Sequence, residues 1–325
     1  MNYCEGAGQR QGATMVERVK GAEAPHYAVI FRTHFWDDFA QRQFDRLLSR
    51  VGTGHVFVLV DETNGRVEGI NHDRVVRLTE QDVLDMGLPR AGTGNLLWFN
   101  GDYPLYYFLS RYGSYDYYLQ LEYDVWLNTD VDDLVGHASA EGADFVGLTK
   151  GEPVHEWAWL FTCEGIYDPA DIQYKLICLS LFSRRALQAL AARRLQMAGE
   201  LRNSTIKNWP FCEGFIATEM GRGGFKSVEL SHYTGTEAYD TWPPFVEHDL
   251  PVLADSPVVH PVLDQERYIS SLLKYKVGLV GYMNVNSLFH RKLRRLPADA
   301  YVSTLVRSFS QKAIRTMRSR HLLPG

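Results

Sequence analysis

Two carboxylates spaced two residues apart, Glu122 and Asp124, carry the clearest chemistry in this sequence. They end an apolar, aromatic-rich run, residues 117–128, whose composition predicts a buried strand. Alternate side chains of a strand point to the same face, so both carboxylates are expected to leave the sheet on one side. Carboxylate oxygens bind hard divalent cations such as Mg²⁺ and Mn²⁺. The pair indicates a cation site at a sheet edge, although such an Asp can equally cap the following turn.

The first half of the chain alternates short apolar runs with helical patterns. Strands are predicted at residues 27–32, 55–60, 75–78 and 144–148, and helices are predicted from Asp37 or Asp38 and at 105–112 and 130–140. Apolar strands that alternate with helices predict an α/β fold with a parallel sheet covered on both faces. Ligands of such sheets bind beyond the carboxyl ends of the strands, where Arg32 and Asp61 are also expected.

The second half of the chain has a less regular pattern of strands and helices than the first half. A strand at residues 175–183 precedes a helix capped by Ser183, a helix is expected to begin within 209–220, and an extended segment at 258–262 precedes a helix at 264–274. We therefore divide the chain into a flexible leader (1–25), a domain (26–287) whose halves meet near residue 150, and a helical tail (288–325).

Composition limits the class of protein. The 325 residues are 45% hydrophobic and 22% charged, which is ordinary for a globular domain. The four cysteines lack CxxC spacing, so the spacing suggests neither a zinc site nor a disulfide framework. No apolar run is long enough to span a membrane, and the N-terminus lacks the pattern of a signal peptide. We expect a cytoplasmic protein.

The tail differs from the body in charge. Residues 288–325 contain nine basic residues and one acidic residue, a net charge of +8, whereas the preceding residues contain 25 basic and 38 acidic ones, a net charge of −13. Aliphatic and aromatic residues are interleaved with the basic ones on both sides of Pro297. This pattern predicts amphipathic helices that bind an anionic membrane surface peripherally, at the inner face of the cell membrane. The alternative is a helix packed on the acidic body; nucleic acid is not expected as a partner.

The order of elements and the motif at residues 119–124 resemble those of the GT-A fold glycosyltransferases over about residues 26 to 280. That family combines a Rossmann-like sheet with a metal-binding Asp-x-Asp motif, for which this chain has Glu122-Tyr123-Asp124. The resemblance implies a GT-A sheet with helices on both faces, followed here by the C-terminal helical extension. It also implies Mn²⁺ or Mg²⁺ held by Asp124, Glu122 and the late His260, with Asp124 the better candidate for direct binding. As an isolated residue, His260 could equally belong to a turn.

The same resemblance implies a nucleotide-sugar donor and a glycan or lipid-linked acceptor, as in polysaccharide biosynthesis. Arg32, Asp61, Glu122 and Asp124 are the residues expected to bind the donor, for which a UDP-sugar is favoured. Glu213, near the start of a predicted helix, would be the general base of an inverting hexosyltransferase. Alternatively, its charge stabilises the helix N-terminus. Glu219 and Glu156 are the substitutes, and aromatic platforms for sugar rings are available in Trp157, Trp159, Trp209 and Trp242.

Two other functions stay open. A sugar nucleotidyltransferase also uses paired carboxylates and Mg²⁺, but it would usually carry a Gly-rich basic loop after the first strand, and residues 31–36 are not Gly-rich. A non-catalytic carbohydrate-binding or scaffold protein could keep the fold without the metal. Glu122 in place of the first Asp of the motif keeps that alternative open.

Overall fold

The computed structural model describes residues 24–92, 96–274 and 277–319. Almost all of the predicted leader, residues 1–25, lies outside this part of the chain. The strands are β1 (Tyr27–Thr33), β2 (His55–Asp61), β3 (Val75–Leu78), β4 (Tyr117–Glu122), β5 (Trp126–Leu127), β6 (Phe145–Leu148), β7 (Leu176–Ser183), β8 (Ser227–Glu229), β9 (Ala238–Tyr239), β10 (Phe245–Val246), β11 (Val258–His260) and β12 (Val262–Leu263).

All the helices predicted from the sequence are present, together with three short helices that were not predicted. They are α1 (Asp38–Leu48), α2 (Glu80–Asp85), α3 (Leu96–Phe99), α4 (Tyr103–Arg111), α5 (Val131–Ala140), α6 (Arg184–Arg202), α7 (Cys212–Arg222), α8 (Gln265–Lys274), α9 (Leu279–Met283), α10 (Leu288–Leu293) and α11 (Ala298–Ser319). Asp37, one of the two predicted caps, accepts the backbone N–H groups of Phe39 and Ala40 at 3.0 Å each. Ser183 caps α6 as expected, because its hydroxyl accepts the N–H of Ala186.

Seven strands form the central sheet in the order β3-β2-β1-β4-β7-β6-β8. The first four are mutually parallel, as predicted, and β6 and β8 run in the same direction. Strand β7 is antiparallel to both β4 and β6, which the strand order along the chain does not reveal. The sheet is therefore mixed but mostly parallel. One consequence is that the first residues of β7 lie at the edge where β1, β4 and β6 end.

Helices cover both faces of this sheet, as expected for a Rossmann-like α/β fold. On one face a large apolar core includes Phe108 of α4, Leu187 of α6 and Phe215 of α7. On the other face Phe44 of α1 and Leu134 of α5 pack against strands β1, β2 and β4. The strands between these cores read as continuous apolar runs because both of their faces are buried.

The predicted strand at residues 117–128 is interrupted, and this prediction was wrong. Strand β4 ends at Glu122, and the N–H of Val125 bonds the carbonyl of Glu122 at 3.0 Å, which closes a tight turn. The chain then enters β5, which pairs with β11 in a separate three-stranded sheet with β9. Glu122 therefore ends a strand, and Asp124 belongs to the turn that follows it.

The C-terminal helices share a small apolar core with earlier segments. Phe289 and Leu293 of α10 pack with Tyr268 and Leu272 of α8 and with Val246 of β10. Helices α10 and α11 are separated around Pro297, as predicted from the sequence. Within the described parts of the chain, no helix is both long and apolar enough to cross a membrane.

Candidate metal and acceptor site at the carboxyl edge of the sheet

Polar side chains from five elements meet where β1, β4 and β6 end. The register pairs Arg32 of β1 with Glu122 of β4. Both side chains lie at this edge, and the Arg32 guanidinium is fully buried, with Nη2 2.7 Å from Oε1 of Glu122. Arg32 also donates to the carbonyl of Gly101. Burial raises the pKa of Glu122, and the charge of Arg32 opposes that rise. Arg32 therefore holds Glu122 in a fixed position.

Asp124 and His260 face each other with unshared electron pairs. The Nδ1 atom of His260 contacts the backbone carbonyl of Asp240, which can only accept, so Nδ1 carries a proton and Nε2 of the neutral imidazole does not. Nε2 lies 3.7 Å from Oδ1 of Asp124, and that oxygen is buried without a hydrogen-bond partner. Burial raises the pKa of Asp124 to about 7 and lowers the pKa of His260. Oδ1 of Asp124 and Nε2 of His260 are the two atoms of this pair that could serve as ligands of a cation.

Cys178 stands beside this pair, although the sequence analysis did not single it out. The pairing of β4 with β7 ends at Leu121 and Leu179, and Glu122 and Cys178 are the next residues of the two strands. A carboxylate oxygen of Glu122, the Sγ atom of Cys178 and a ring nitrogen of His260 lie within 4.8 Å of one another. Burial and the charges of the surrounding carboxylates raise the pKa of the Cys178 thiol well above its usual value. Only the antiparallel placement of β7 brings this thiol to the edge.

Glu213 approaches the same edge from the first turn of α7. Burial, followed by the charge of Glu122, raises its pKa to about 8, while the charge of Lys150 and a hydrogen bond from Trp157 act in the opposite direction. Lys150 follows β6 and is itself held by Asp240, with its Nζ 2.9 Å from Oδ1 of that residue. Lys150 is a second site residue that the sequence analysis did not identify.

A buried ion pair fixes the start of α7. Arg194 of α6 and Asp102 are both fully buried, with Nε 2.7 Å from Oδ2. The Arg194 guanidinium lies 3.6 Å from the ring centre of Phe215 in α7 and donates to the carbonyl of Pro210 at 3.0 Å. Because Pro210 precedes α7 by two residues, these contacts determine where Glu213 is placed.

Two residues predicted to bind the donor are occupied by protein contacts. Arg32 is turned towards Glu122 and Gly101, as described above. Asp61, which is buried, accepts the N–H and hydroxyl of Thr63 at 2.9 and 2.6 Å and the N–H of Leu96 at 3.1 Å. In this structure Asp61 organises the turn after β2 and the start of α3, and its contact with a nucleotide stays a prediction.

The substitutes for Glu213 lie in other surroundings. Glu219, near the end of α7, is 3.2 Å from Arg193, and Glu156 is exposed beside His155. Among the predicted aromatic platforms, Trp157 and Trp209 are buried in the core. Trp159 is half-buried and stacks on Phe211 with ring centres 4.9 Å apart.

A separate groove of about 630 Å³ lies beside α1 and β5. Its lining includes Trp126 and a row of arginines at helical spacing, Arg42, Arg46 and Arg50. Glu247 makes two hydrogen bonds with Arg42, at 2.9 and 2.7 Å, and lies 2.8 Å from Arg46. The positive charge of this groove is thus partly neutralised from within the chain.

The comparisons with known proteins leave the family open. No family model and no curated protein matches this sequence. Among solved structures, a glycosyltransferase involved in the glycosylation of the major capsid of PBCV-1 matches 75% of this chain and 98% of its own, with a TM-score of 0.39 and 10% identity. A likeness this loose does not carry residue roles from that protein to this chain.

Proposed function

We propose that this chain is a metal-dependent glycosyltransferase of the GT-A type, which moves a hexose from a nucleotide-sugar to a glycan or glycolipid acceptor with inversion. The observation that supports this best is the pair formed by Asp124 and His260. Two buried atoms with unshared electron pairs, Oδ1 and Nε2, face each other at 3.7 Å at the carboxyl edge of a mostly parallel sheet. Such edges are where α/β folds bind nucleotides.

The oxygen and nitrogen ligand atoms at this edge of the sheet fit a divalent cation. Asp124, Glu122 and His260 would hold Mn²⁺ or Mg²⁺, and the contact of Nδ1 with the Asp240 carbonyl leaves His260 the tautomer that a ligand requires. When bound, the cation supplies positive charge that stabilises the departing nucleoside diphosphate. The ion pair between Arg32 and Glu122 keeps that carboxylate in place in the absence of substrate.

Glu213 would act as the general base. Its carboxylate takes the proton of the acceptor hydroxyl as that oxygen forms a bond to the anomeric carbon. The bond between the anomeric carbon and the diphosphate oxygen breaks, and its electron pair leaves with the nucleoside diphosphate. A pKa of about 8 makes Glu213 a stronger base than an ordinary carboxylate. The Trp157 hydrogen bond and the nearby Lys150 stabilise the charged form and limit this rise of the pKa.

Exposed aromatic rings near the start of α7 could bind the acceptor. Trp98 and Phe161 are 55% and 56% exposed, and both contact Trp159. The carbonyl of Trp98 also accepts from the thiol of Cys212, the residue before Glu213. Flat apolar rings at the mouth of a polar site suit the apolar faces of sugars, and this surface would hold the acceptor next to the proposed base.

The C-terminal helices would hold the enzyme at an anionic membrane. Helix α11 packs one side on the body through Tyr301 and Leu305. Its other side exposes Val302, Val306 and Phe309, each more than half accessible. The same C-terminal segment carries exposed arginines (Arg291, Arg294, Arg295 and Arg307). Exposed apolar and basic groups in one segment favour the interface of a membrane rich in anionic lipid, where a lipid-linked acceptor would lie.

Nucleotide-dependent thermal stability is the first test. Melting temperatures are measured with UDP, GDP, CDP and ADP, each with and without Mn²⁺. We expect a Mn²⁺-dependent rise with one nucleotide, UDP being favoured, because a ligand that binds only the folded state stabilises it. If no nucleotide raises the melting temperature under any condition, the carbohydrate-binding or scaffold function replaces this proposal.

Two variants separate donor binding from transfer. Asp124→Asn is expected to remove the Mn²⁺-dependent shift and transfer, because the cation loses a ligand. Glu213→Gln is expected to keep the shift but lower transfer by about 10²–10⁴-fold, the usual contribution of a general base. Glu219→Gln, on the same helix but paired with Arg193, is the matched control and should retain transfer. Full transfer by Asp124→Asn would refute the proposed metal site.

A further inference from the structure

We propose that Cys178 is a direct ligand of the cation site and makes that site selective for thiophilic divalent ions such as Zn²⁺, Co²⁺ and Cd²⁺. This inference rests on the proposed function, because it concerns the same site. It adds a ligand that neither the sequence motif nor the spacing of the cysteines indicates. It also changes the class of metal that the site prefers.

The geometry of three strands supports this assignment. Cys178 belongs to β7, Glu122 ends β4, and His260 ends β11. Ligand atoms of the three residues lie within 4.8 Å of one another although the residues are far apart in sequence. Cys178 is a free, half-buried cysteine. Its thiol therefore lies next to a carboxylate and an imidazole at the edge of the sheet.

The neighbouring groups hold these ligands in position. Arg32 fixes Glu122 at 2.7 Å, and the carbonyl of Asp240 fixes the tautomer of His260. Outer-shell contacts of this kind orient ligands and are typical of metal centres. The carboxylate of Glu122 within this cluster adds negative charge, which favours a cation there.

The chemistry of the donor set gives the selectivity. Oxygen ligands suit Mg²⁺ and Mn²⁺, whereas thiolate and imidazole together favour zinc-like ions. On binding, the thiol proton passes to solvent and the sulfur forms a bond to the metal. We therefore expect Zn²⁺ to bind more tightly than Mn²⁺ or Mg²⁺ and to displace them.

Cobalt spectroscopy tests the ligand directly. Co²⁺ is titrated into full-length protein carrying Cys4→Ser, which removes a thiol outside the described residues. We expect a thiolate-to-cobalt charge-transfer band in the near ultraviolet that saturates at one equivalent. The band should disappear in Cys178→Ser and persist in Cys163→Ser, a free cysteine buried in the core. Zn²⁺ affinity should fall by at least about tenfold in Cys178→Ser, with little change for Mn²⁺.

Two outcomes would overturn the inference: Co²⁺ binding without the band, or a band that survives Cys178→Ser. If Cys178→Ser does not fold, cadmium-113 NMR of the parent protein tests for the sulfur ligand instead, because such a ligand moves the cadmium resonance strongly downfield. A resonance without this shift would also overturn the inference. Glycosyl transfer is measured separately. Mn²⁺-dependent transfer without the cobalt band would refute the Cys178 ligand alone, whereas the band without any transfer would refute the proposed function alone.

Discussion

At the scale of single residues, the carboxylates of this protein differ because their partners differ. Asp144, which precedes β6, is almost fully buried, and burial alone would raise its pKa. Hydrogen bonds from Arg185, from the hydroxyl of Ser183 and from the N–H of Lys226 outweigh that effect and hold the pKa of Asp144 below its ordinary value. At Asp124 burial outweighs the hydrogen bond from its own backbone N–H and the charge of Arg32, and its pKa is raised instead.

The depressed pKa of Asp144 makes stability depend on pH. The ionised Asp144 contributes fully to the free energy of unfolding above the pKa of an Asp in the unfolded chain, about 3.9. This contribution is lost as the pH falls through the lower pKa of Asp144 in the folded protein. Asp144→Asn should therefore lower the free energy of unfolding by about 1–3 kcal/mol at pH 7 and by much less at pH 2. Urea unfolding across this range measures the difference. Asp255→Asn, at an exposed site, is the control, and a loss independent of pH would contradict the prediction.

The sequence indicated some of the residues at this edge and could not indicate others. Glu122 and Asp124 follow a recognisable apolar strand, and Glu213 and His260 were named from their positions; the structure brings these four to one place. Cys178 was missed because its position depends on the antiparallel pairing of β7 with β4. Lys150 was missed because its partner Asp240 is remote in sequence.

At the scale of elements, the start of α7 depends on one glycine. A Cβ atom at Gly214 would lie 2.4 Å from the ring of Trp157 and 3.2 Å from Sγ of Cys163. Since Trp157 also contacts Glu213 through a hydrogen bond, a larger residue here would disturb the proposed base. The glycine allows the helix to approach the aromatic core closely.

Gly214→Ala should lower the free energy of unfolding by about 1–3 kcal/mol, the usual cost of overpacking a core. Gly136→Ala is the matched control in α5, where an added Cβ meets no atom within 4 Å. That substitution should raise stability by about 0.4–1 kcal/mol, because it restricts the unfolded chain. Chemical denaturation of both variants measures the contrast, and equal effects would contradict the close packing described here.

Element types were more predictable than element pairing. The caps at Asp37 and Ser183 and the apolar strands β1 and β2 follow from local residue chemistry. The turn at residues 123–124 could not be predicted from local residue chemistry, because the apolar pattern continues through it. What ends β4 is the pairing of β5 with β11, a contact with a segment more than a hundred residues later.

At the scale of the whole molecule, the C-terminal helices both complete a core and present a row of exposed apolar side chains. Deleting the chain after Tyr282 would remove Phe289 and Leu293 from the core they share with Tyr268. Such a truncation would test folding and membrane binding together. Point substitutions on the exposed side of α11 leave that core in place; because the ring of Phe309 lies 5.6 Å from the ring of Tyr282, the melting temperature of each variant is compared with that of the parent first.

The double variant Val306→Ser and Phe309→Ser should weaken binding to vesicles rich in phosphatidylserine by at least about tenfold. Each of these apolar side chains contributes about 1.5–3 kcal/mol when buried. Leu195→Ser, an exposed site on α6, is the control and should bind normally. Vesicle sedimentation measures the effect, and added salt should weaken binding further. Equal binding by the double variant and the parent would exclude α11 as the membrane contact.

The position of β7 has a consequence for synthesis of the chain. Strand β4 joins β1 on one side, but its other edge is filled only by β7. While the ribosome adds residues 123 to 183, the most buried part of the sheet has a row of unsatisfied backbone groups. At 5–20 residues per second this lasts for several seconds, during which the unpaired edge of β4 is exposed to aggregation and to chaperone binding. Arrest within this interval should therefore leave the nascent chain bound by chaperones, and release should follow once residue 183 has cleared the ribosome.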